Sequence, residues 1–181
     1  MVGHKSFGSM QCPIARCLDE TGDWWSMLIL RSAFMGVRRF QHFQERLGIA
    51  PNTLARRLEA LTEHGLLVRQ TYNERPPREE YELTEKGLDF LPVLLAMAAW
   101  GNRWLAPEGV AIECVDPETG RAIHPLVVDR ETGRELRPGT VALRAGPGAR
   151  PAVKRGLENW VLLGGCDAGE ASSSRSARRG A

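Results

Sequence analysis

FQHFQERLGIAPNTLARRLEALTEHGLLVRQTYNERPPREEYEL, residues Phe40–Leu83, reads as two short helices followed by a hairpin. Phe40, Phe43 and Leu47 fall on one face of a first helix. Gly48 suits the position just past its end, where a positive φ is needed. Pro51 opens a second helix, because proline is tolerated at the first helical position. Leu54, Leu58 and Leu61 recur along it at helical spacing, which leaves Asn52, Thr53, Arg56 and Arg57 on its other side. His64-Gly65 closes it. Leu66–Tyr72 and Glu80–Leu83 have the composition of strands. Pro76-Pro77 lies between them, and proline, which cannot donate to a ladder, belongs at the tip or an edge. Helix, tight turn, helix and hairpin together describe a winged helix-turn-helix. Such a unit lays its second helix in the major groove of double-stranded DNA with the hairpin beside it.

The flanks extend this reading to a mainly α fold with a β-hairpin wing. Residues 1–11 are polar, and a flexible N-terminus is expected. Pro13 opens a helix of about 13–20, ended by Gly22. WWSMLILRSAFM, Trp24–Met35, is apolar almost all round, so it belongs at the centre of a domain. Thr84 is a plausible N-cap for a helix reaching about Leu105. That helix carries more apolar surface than one small domain covers, through Leu91, Leu94, Leu95, Ala98 and Trp100 to Trp104. Dimerisation is the functional reading and a fifth core helix the alternative. The winged helix-turn-helix domain is therefore expected over residues 12–105.

Beyond Pro107 short β-like runs alternate with turns, giving a small C-terminal β module over 106–145. Glu118-Thr119-Gly120-Arg121 returns as Glu131-Thr132-Gly133-Arg134. The repeat suggests two knuckles with the same turn chemistry, faintly like a zinc ribbon. Asp116 and Thr119, and Asp129 and Thr132, stand where such a ribbon carries thiolates, so no zinc is expected. Residues 146–181, rich in Gly, Ala, Ser and Arg, are expected to be mostly disordered, although Trp160–Leu163 could dock.

The net charge of +2 announces no partner, but its distribution does. Residues 38–78 hold eight arginines against four glutamates, whereas 106–145 hold five arginines against seven acids. The positive field is concentrated on the helix-turn-helix. The four cysteines form no C-x-x-C pair. No signal-peptide pattern opens the chain, and its longest apolar run is too short to span a bilayer. A cytoplasmic protein with free thiols is the expectation. No zincin motif, phosphate loop or nucleophile elbow is present. Neither an enzyme nor a cofactor is expected.

The motifs Cys12-Pro13, Trp24–Arg31 (WWSMLILR), Gly36–Phe43 (GVRRFQHF), Leu47–Arg69, Arg75–Gly87 (RPPREEYELTEKG) and Pro92–Gly101 (PVLLAMAAWG) occur in one order and spacing. In this the chain resembles the HxlR family of bacterial transcriptional regulators, relatives of the MarR-type winged helices. It departs at Glu79, where the family often has a hydrophobic residue, and at Gly22-Asp23-Trp24 and Trp25, where the family tends to have Gly-Lys-Trp-like residues. The resemblance implies a homodimer, a recognition helix over Pro51–His64 and operator binding. Some family members use a cysteine at the position of Cys12 as a redox or electrophile switch.

Each candidate residue has a plainer alternative. Arg56 or Arg57 can pair with guanine, Asn52 with adenine, and Thr53 with a base or phosphate. The plain reading is a solvated face in which the arginines pair with Glu59 or Glu63. Arg75 and Arg78 flank the wing tip, where phosphate or minor-groove contact is expected. Arg38 and Arg39 are candidates for backbone contact or mere solubility. Cys12 would lie at the positive end of a helix, a setting that favours thiolate, or is a small residue with no role. Positions 12 and 17 lie about 8.6 Å apart in a helix. A disulfide needs Cα atoms within about 7 Å, so no internal Cys12–Cys17 bridge is expected. The expected activity is a dimeric regulator that binds an inverted-repeat operator and answers a small-molecule or redox signal. A winged-helix module that binds an acidic protein partner is the alternative, and a small Cys12-dependent hydrolase or reductase a third.

Overall fold

The computed structural model describes residues 7, 9–74, 77–157 and 161–162, with the backbone alone for 72–74, 77–78 and 161–162. Helix α1 (Pro13–Thr21) begins on its proline, directly after Cys12. Helix α2 (Trp24–Phe34) is capped by Asp23, whose carboxylate accepts from the Trp25 and Ser26 amides. Asp is a strong N-cap because it satisfies amides that have no intrahelical partner. Helix α3 (Phe40–Leu47) ends on Gly48 at φ 61°. That left-handed backbone costs glycine little and lets the chain turn sharply. Helix α4 (Pro51–Glu63) follows α3 after three residues, Gly48, Ile49 and Ala50. Strands β1 (Leu67–Glu74) and β2 (Pro77–Leu83) pair antiparallel, with Leu67 opposite Leu83 and an irregularity between Thr71 and Asn73. The hairpin runs further than its composition implies: β2 starts at Pro77, at the outer end of the ladder opposite Glu74.

The core is built where three helices and the hairpin meet. Leu54, Leu58 and Leu61 of α4 are fully buried against Ile29 and Leu30 of α2 and Phe43 of α3. Leu66, Leu67 and Phe90 close the far side. Each buried aliphatic or aromatic side chain contributes about 1.5–3 kcal/mol by leaving water. The central position expected for Trp24–Met35 holds for one face. Ile29 and Leu30 are inaccessible, while Trp24 at one end is 74% exposed.

The helix expected from Thr84 to Leu105 is two helices. Thr84 caps α5 (Glu85–Leu88), accepting from the Gly87 amide at 3.0 Å. The chain then bends through Asp89 and Phe90 before α6 (Leu91–Trp104). Pro92 explains the break. It has no N–H to give the Leu88 carbonyl, and its ring crowds the preceding turn. Gly87 marks the closest approach of α5 to the hairpin. A Cβ there would stand 2.1 Å from the Leu66 carbonyl oxygen.

The chain separates into two units, residues 1–125 and 126–181. The repeated motif forms the same turn in each. Asp116 Oδ1 accepts from the Thr119 amide and hydroxyl, both at 2.8 Å, and the Gly120 amide donates to the Asp116 carbonyl. Asp129, Thr132 and Gly133 repeat these bonds. Bridges Val115–Ala122 and Val128–Glu135 close the two knuckles. In each, the Asp–Thr hydrogen bond joins the two positions that a zinc knuckle would give to thiolates. Within the second unit β3 (Val141–Ala142) pairs with β4 (Val161–Leu162), and α7 (Pro151–Leu157) lies between them in sequence. Both α7 and β4 fall in the stretch for which disorder is expected; residues 158–160 and 163–181 lie outside the described residues.

Candidate nucleic-acid interface

The buried stripe of α4 determines what the helix can present. With Leu54, Leu58 and Leu61 inside, the exposed positions are Pro51, Asn52, Ala55, Arg56, Glu59 and Glu63. Asn52 and Arg56, four residues apart, stand one turn above the other. Ala55 and Glu59 were not among the expected contacts. The leucine spacing carried the signal for both, since they lie opposite the buried leucines. A small apolar side chain can meet a thymine methyl, and a glutamate can accept from the cytosine amine. Thr53 lies on the flank, half-buried.

Arg57 also lies on the flank, and it has a partner inside the protein. Its Nη2 makes an ion pair with Asp23 Oδ2, and the two side chains are only 23% and 15% exposed. Its Nε is buried with no hydrogen-bond acceptor among the described residues. Arg56 is exposed and pairs with no carboxylate among the described residues.

Arg38 and Arg39 are tied to the wing. Arg38 Nη1 reaches Glu82 at 2.5 Å, and Arg39 Nε reaches Glu80 at 2.7 Å. The backbone joins in, with the Tyr81 amide donating to the Arg38 carbonyl at 2.8 Å. A bridge between Arg39 and Glu80 adds a short third edge to the hairpin. The segment before α3 therefore docks the wing against the helix-turn-helix. On the wing, Glu79 lies 3.5 Å from Arg69. Burial, followed by the nearby Glu79 charge, pushes the Tyr81 phenol above its ordinary range. Arg75, and the side chain of Arg78, lie outside the described residues.

Helix α6 has no buried residue. Val93, Met97, Trp100 and Trp104 form an exposed apolar row at spacings of four, three and four residues. That is the spacing of a helix seam. Of the residues expected to dimerise, Leu91 and Trp104 are exposed apolar side chains, and Ala98 is exposed beside them. Leu94 packs against the molecule's own core, and Leu95 is half-buried. Val93 and Met97 replace them on the outward face beside Trp100, which the sequence already places there, because the break at Pro92 resets which side of the helix meets the core. Helix α1 adds Ile14 and Leu18, 70% and 44% exposed. Cys12, the N-cap of α1, is exposed and caps no amide; Cys17 is exposed as well. A cleft of about 550 Å³ runs along α6, lined by Trp100, Arg103, Trp104, Cys114 and His124 among others.

Known proteins of similar sequence and structure carry the same unit. Residues 20–109 match the family model for HxlR-like helix-turn-helix proteins. An uncharacterized HTH-type transcriptional regulator of Mycobacterium bovis is 40% identical over 116 residues, covering 64% of this chain and 73% of the relative. Another from Synechocystis is 42% identical over 104 residues, covering 57% and 76%. The candidate transcription factor PA1607 superposes with a TM-score of 0.72 at 38% identity, covering 78% of this chain and 100% of its own. PA1374 of Pseudomonas aeruginosa, also a candidate transcription factor, gives 0.59 at 45% identity, covering 81% and 100%. Both structural likenesses cover more of the chain than the winged unit alone.

Proposed function

This chain belongs to the HxlR-like helix-turn-helix family of transcriptional regulators, and from that premise we propose that it binds an inverted-repeat operator as a homodimer. The observation that carries the reading is the outward stripe of α4, where Arg56, without a carboxylate partner among the described residues, stands beside Asn52 and Ala55 with a docked wing next to it. Arg56 pairs with a guanine edge, Asn52 with an adenine edge, and Thr53 holds phosphate from the flank. Arg75 and Arg78 at the wing supply phosphate contacts, while Arg38 and Arg39, paired with Glu82 and Glu80, hold the wing in place. Two copies joined along α6 and α1 place their α4 helices in successive major grooves, about 34 Å apart or a multiple of it.

The signal enters through thiol chemistry or a small ligand. Cys12 starts a helix whose exposed apolar residues belong to the proposed dimer surface. Oxidation or alkylation there would tilt the two copies. The cleft along α6 has the volume of a small-ligand site.

Selection of binding sites from random duplexes tests the whole reading. The expected product is a palindrome whose binding weakens steeply with salt, as counterion release demands. Random recovery with no shared sequence would sink operator binding. A shallow salt slope with retained affinity for an acidic protein would favour the interaction-module reading instead. For the thiol, diamide should release operator from wild type and spare Cys12→Ser; equal responses would remove Cys12 from the account.

A further inference from the structure

The corner between α1 and α2 grips α4 at two points. At the first, one carboxylate serves both helices. Asp23 Oδ1 accepts from the Trp25 amide at 2.7 Å and the Ser26 amide at 3.3 Å, while Oδ2 holds the Arg57 guanidinium. At the second, His64 Nδ1 lies 3.4 Å from the Glu20 carbonyl oxygen. Lys86 Nζ locks this point by donating to Glu20 Oε2 at 2.6 Å and to the His64 carbonyl at 2.8 Å. His64, the C-cap of α4, follows Arg57 by seven residues, two turns along one flank.

Two points on one flank leave a rod only a swing about the line that joins them, and the packed leucine face opposes that swing, so together they fix its direction and its rotation. The leucine face alone does not, since apolar burial is non-directional. Arg57 is also spent inward. It is 23% exposed, its Nε is enclosed and its Nη2 is held by Asp23, so most of the guanidinium is turned into the protein. The neighbouring Arg56 is exposed.

We propose that Arg57 is a positioning residue whose ion pair with Asp23 sets the rotation of α4, so that Asn52, Ala55 and Arg56 meet the base edges in register. It touches no DNA. The proposal rests on α4 being the recognition helix. It also gives the α1–α2 corner, and whatever acts on α1, a direct hold on the DNA-reading face.

Asp23→Asn in the full chain separates capping from pairing. Asparagine caps as well as aspartate, so α2 keeps its start while Arg57 loses its counter-charge. Operator and random-duplex affinities are measured over a range of salt for wild type, Asp23→Asn, Arg57→Lys, Arg57→Ala and Asp23→Asn/Arg57→Ala. In Asp23→Asn and Arg57→Ala the ratio of operator to random binding should fall about tenfold with an unchanged salt slope, within the range of one lost base contact. Arg57→Lys should restore most of it, and the double variant should be no worse than the poorer single one. A merely destabilising change would lower the active fraction and leave that ratio alone. If Arg57→Ala lowers the salt slope by about one while Asp23→Asn binds like wild type, Arg57 contacts phosphate and the proposal falls. A wild type that prefers no sequence would defeat operator binding itself. Amide exchange in the free protein then decides the latch. Faster exchange across residues 52–60 in Asp23→Asn supports it, and unchanged exchange overturns it.

Discussion

Arg56 and Arg57 are neighbours of the same chemical type with different surroundings. One is exposed and lacks a carboxylate partner among the described residues; the other is folded onto Asp23. Arg56→Ala should cost about 1–3 kcal/mol of operator affinity and relax specificity at one base position, with much less effect on random duplexes. Equal losses on both would make Arg56 a phosphate contact. The knuckle aspartates give a second residue-level expectation. Bonds from the Thr119 backbone hold Asp116 below the ordinary value of 3.8, and the Thr132 hydroxyl does the same for Asp129. A carboxylate with a depressed folded pKa stabilises above its unfolded value and loses that contribution as pH falls through the folded one. The knuckles should therefore persist at pH 3.8 and open only in stronger acid. Chemical shifts of Thr119 and Thr132 through an acid titration check this, and opening at or above 3.8 would contradict it.

Among the elements, the leucine face of α4 and the contact of α5 with the hairpin hold the unit together. Leu58 is inaccessible, and Leu58→Ala should cost about 2–5 kcal/mol by removing buried atoms and leaving a cavity. Denaturant unfolding gives the number, and a loss below that of an exposed site would mean the core is not packed as described. Gly87→Ala should destabilise for a steric reason, because the new methyl meets the Leu66 carbonyl, a backbone atom that cannot swing away. A neutral Gly87→Ala would show that α5 moves freely against β1. The pairs of Arg38 and Arg39 with Glu82 and Glu80 are half-exposed, so each contributes little to stability. Their place is in holding the wing beside α4.

At the scale of the whole molecule the row Val93, Met97, Trp100 and Trp104 is left largely exposed by the described residues of its own unit. Exposed apolar surface arranged as a seam invites a second helix of the same kind. Met97→Glu should yield a folded monomer, seen by light scattering, that binds a half-site far more weakly than wild type binds the palindrome. A wild-type monomer at micromolar concentration without DNA would remove the dimer from the proposed function.

The sequence by itself determined the order and kind of the elements in the winged unit. The signals there are local: a leucine repeat for α4, a glycine for the turn, prolines at helix starts, aspartate and threonine for the knuckle turns. It also marked Asn52 and Arg56 of α4 as outward, because a period of 3.6 residues fixes the opposite face once the buried one is known, but it placed Thr53 and Arg57 with them, and both lie on the flank. Tertiary structure decided the rest. Asp23 lies thirty-four residues from Arg57, and no local pattern says that a helix cap will also take a distant guanidinium. Pro92 lies inside an apolar run that reads as one helix. Where the chain bends there, and hence that Leu94 faces inward and Trp100 outward, depends on how Phe90 enters the core. Local propensity names the elements; the pairing of charges and the rotation of a helix are settled only when separate elements pack, because burial and ion pairing depend on what stands opposite.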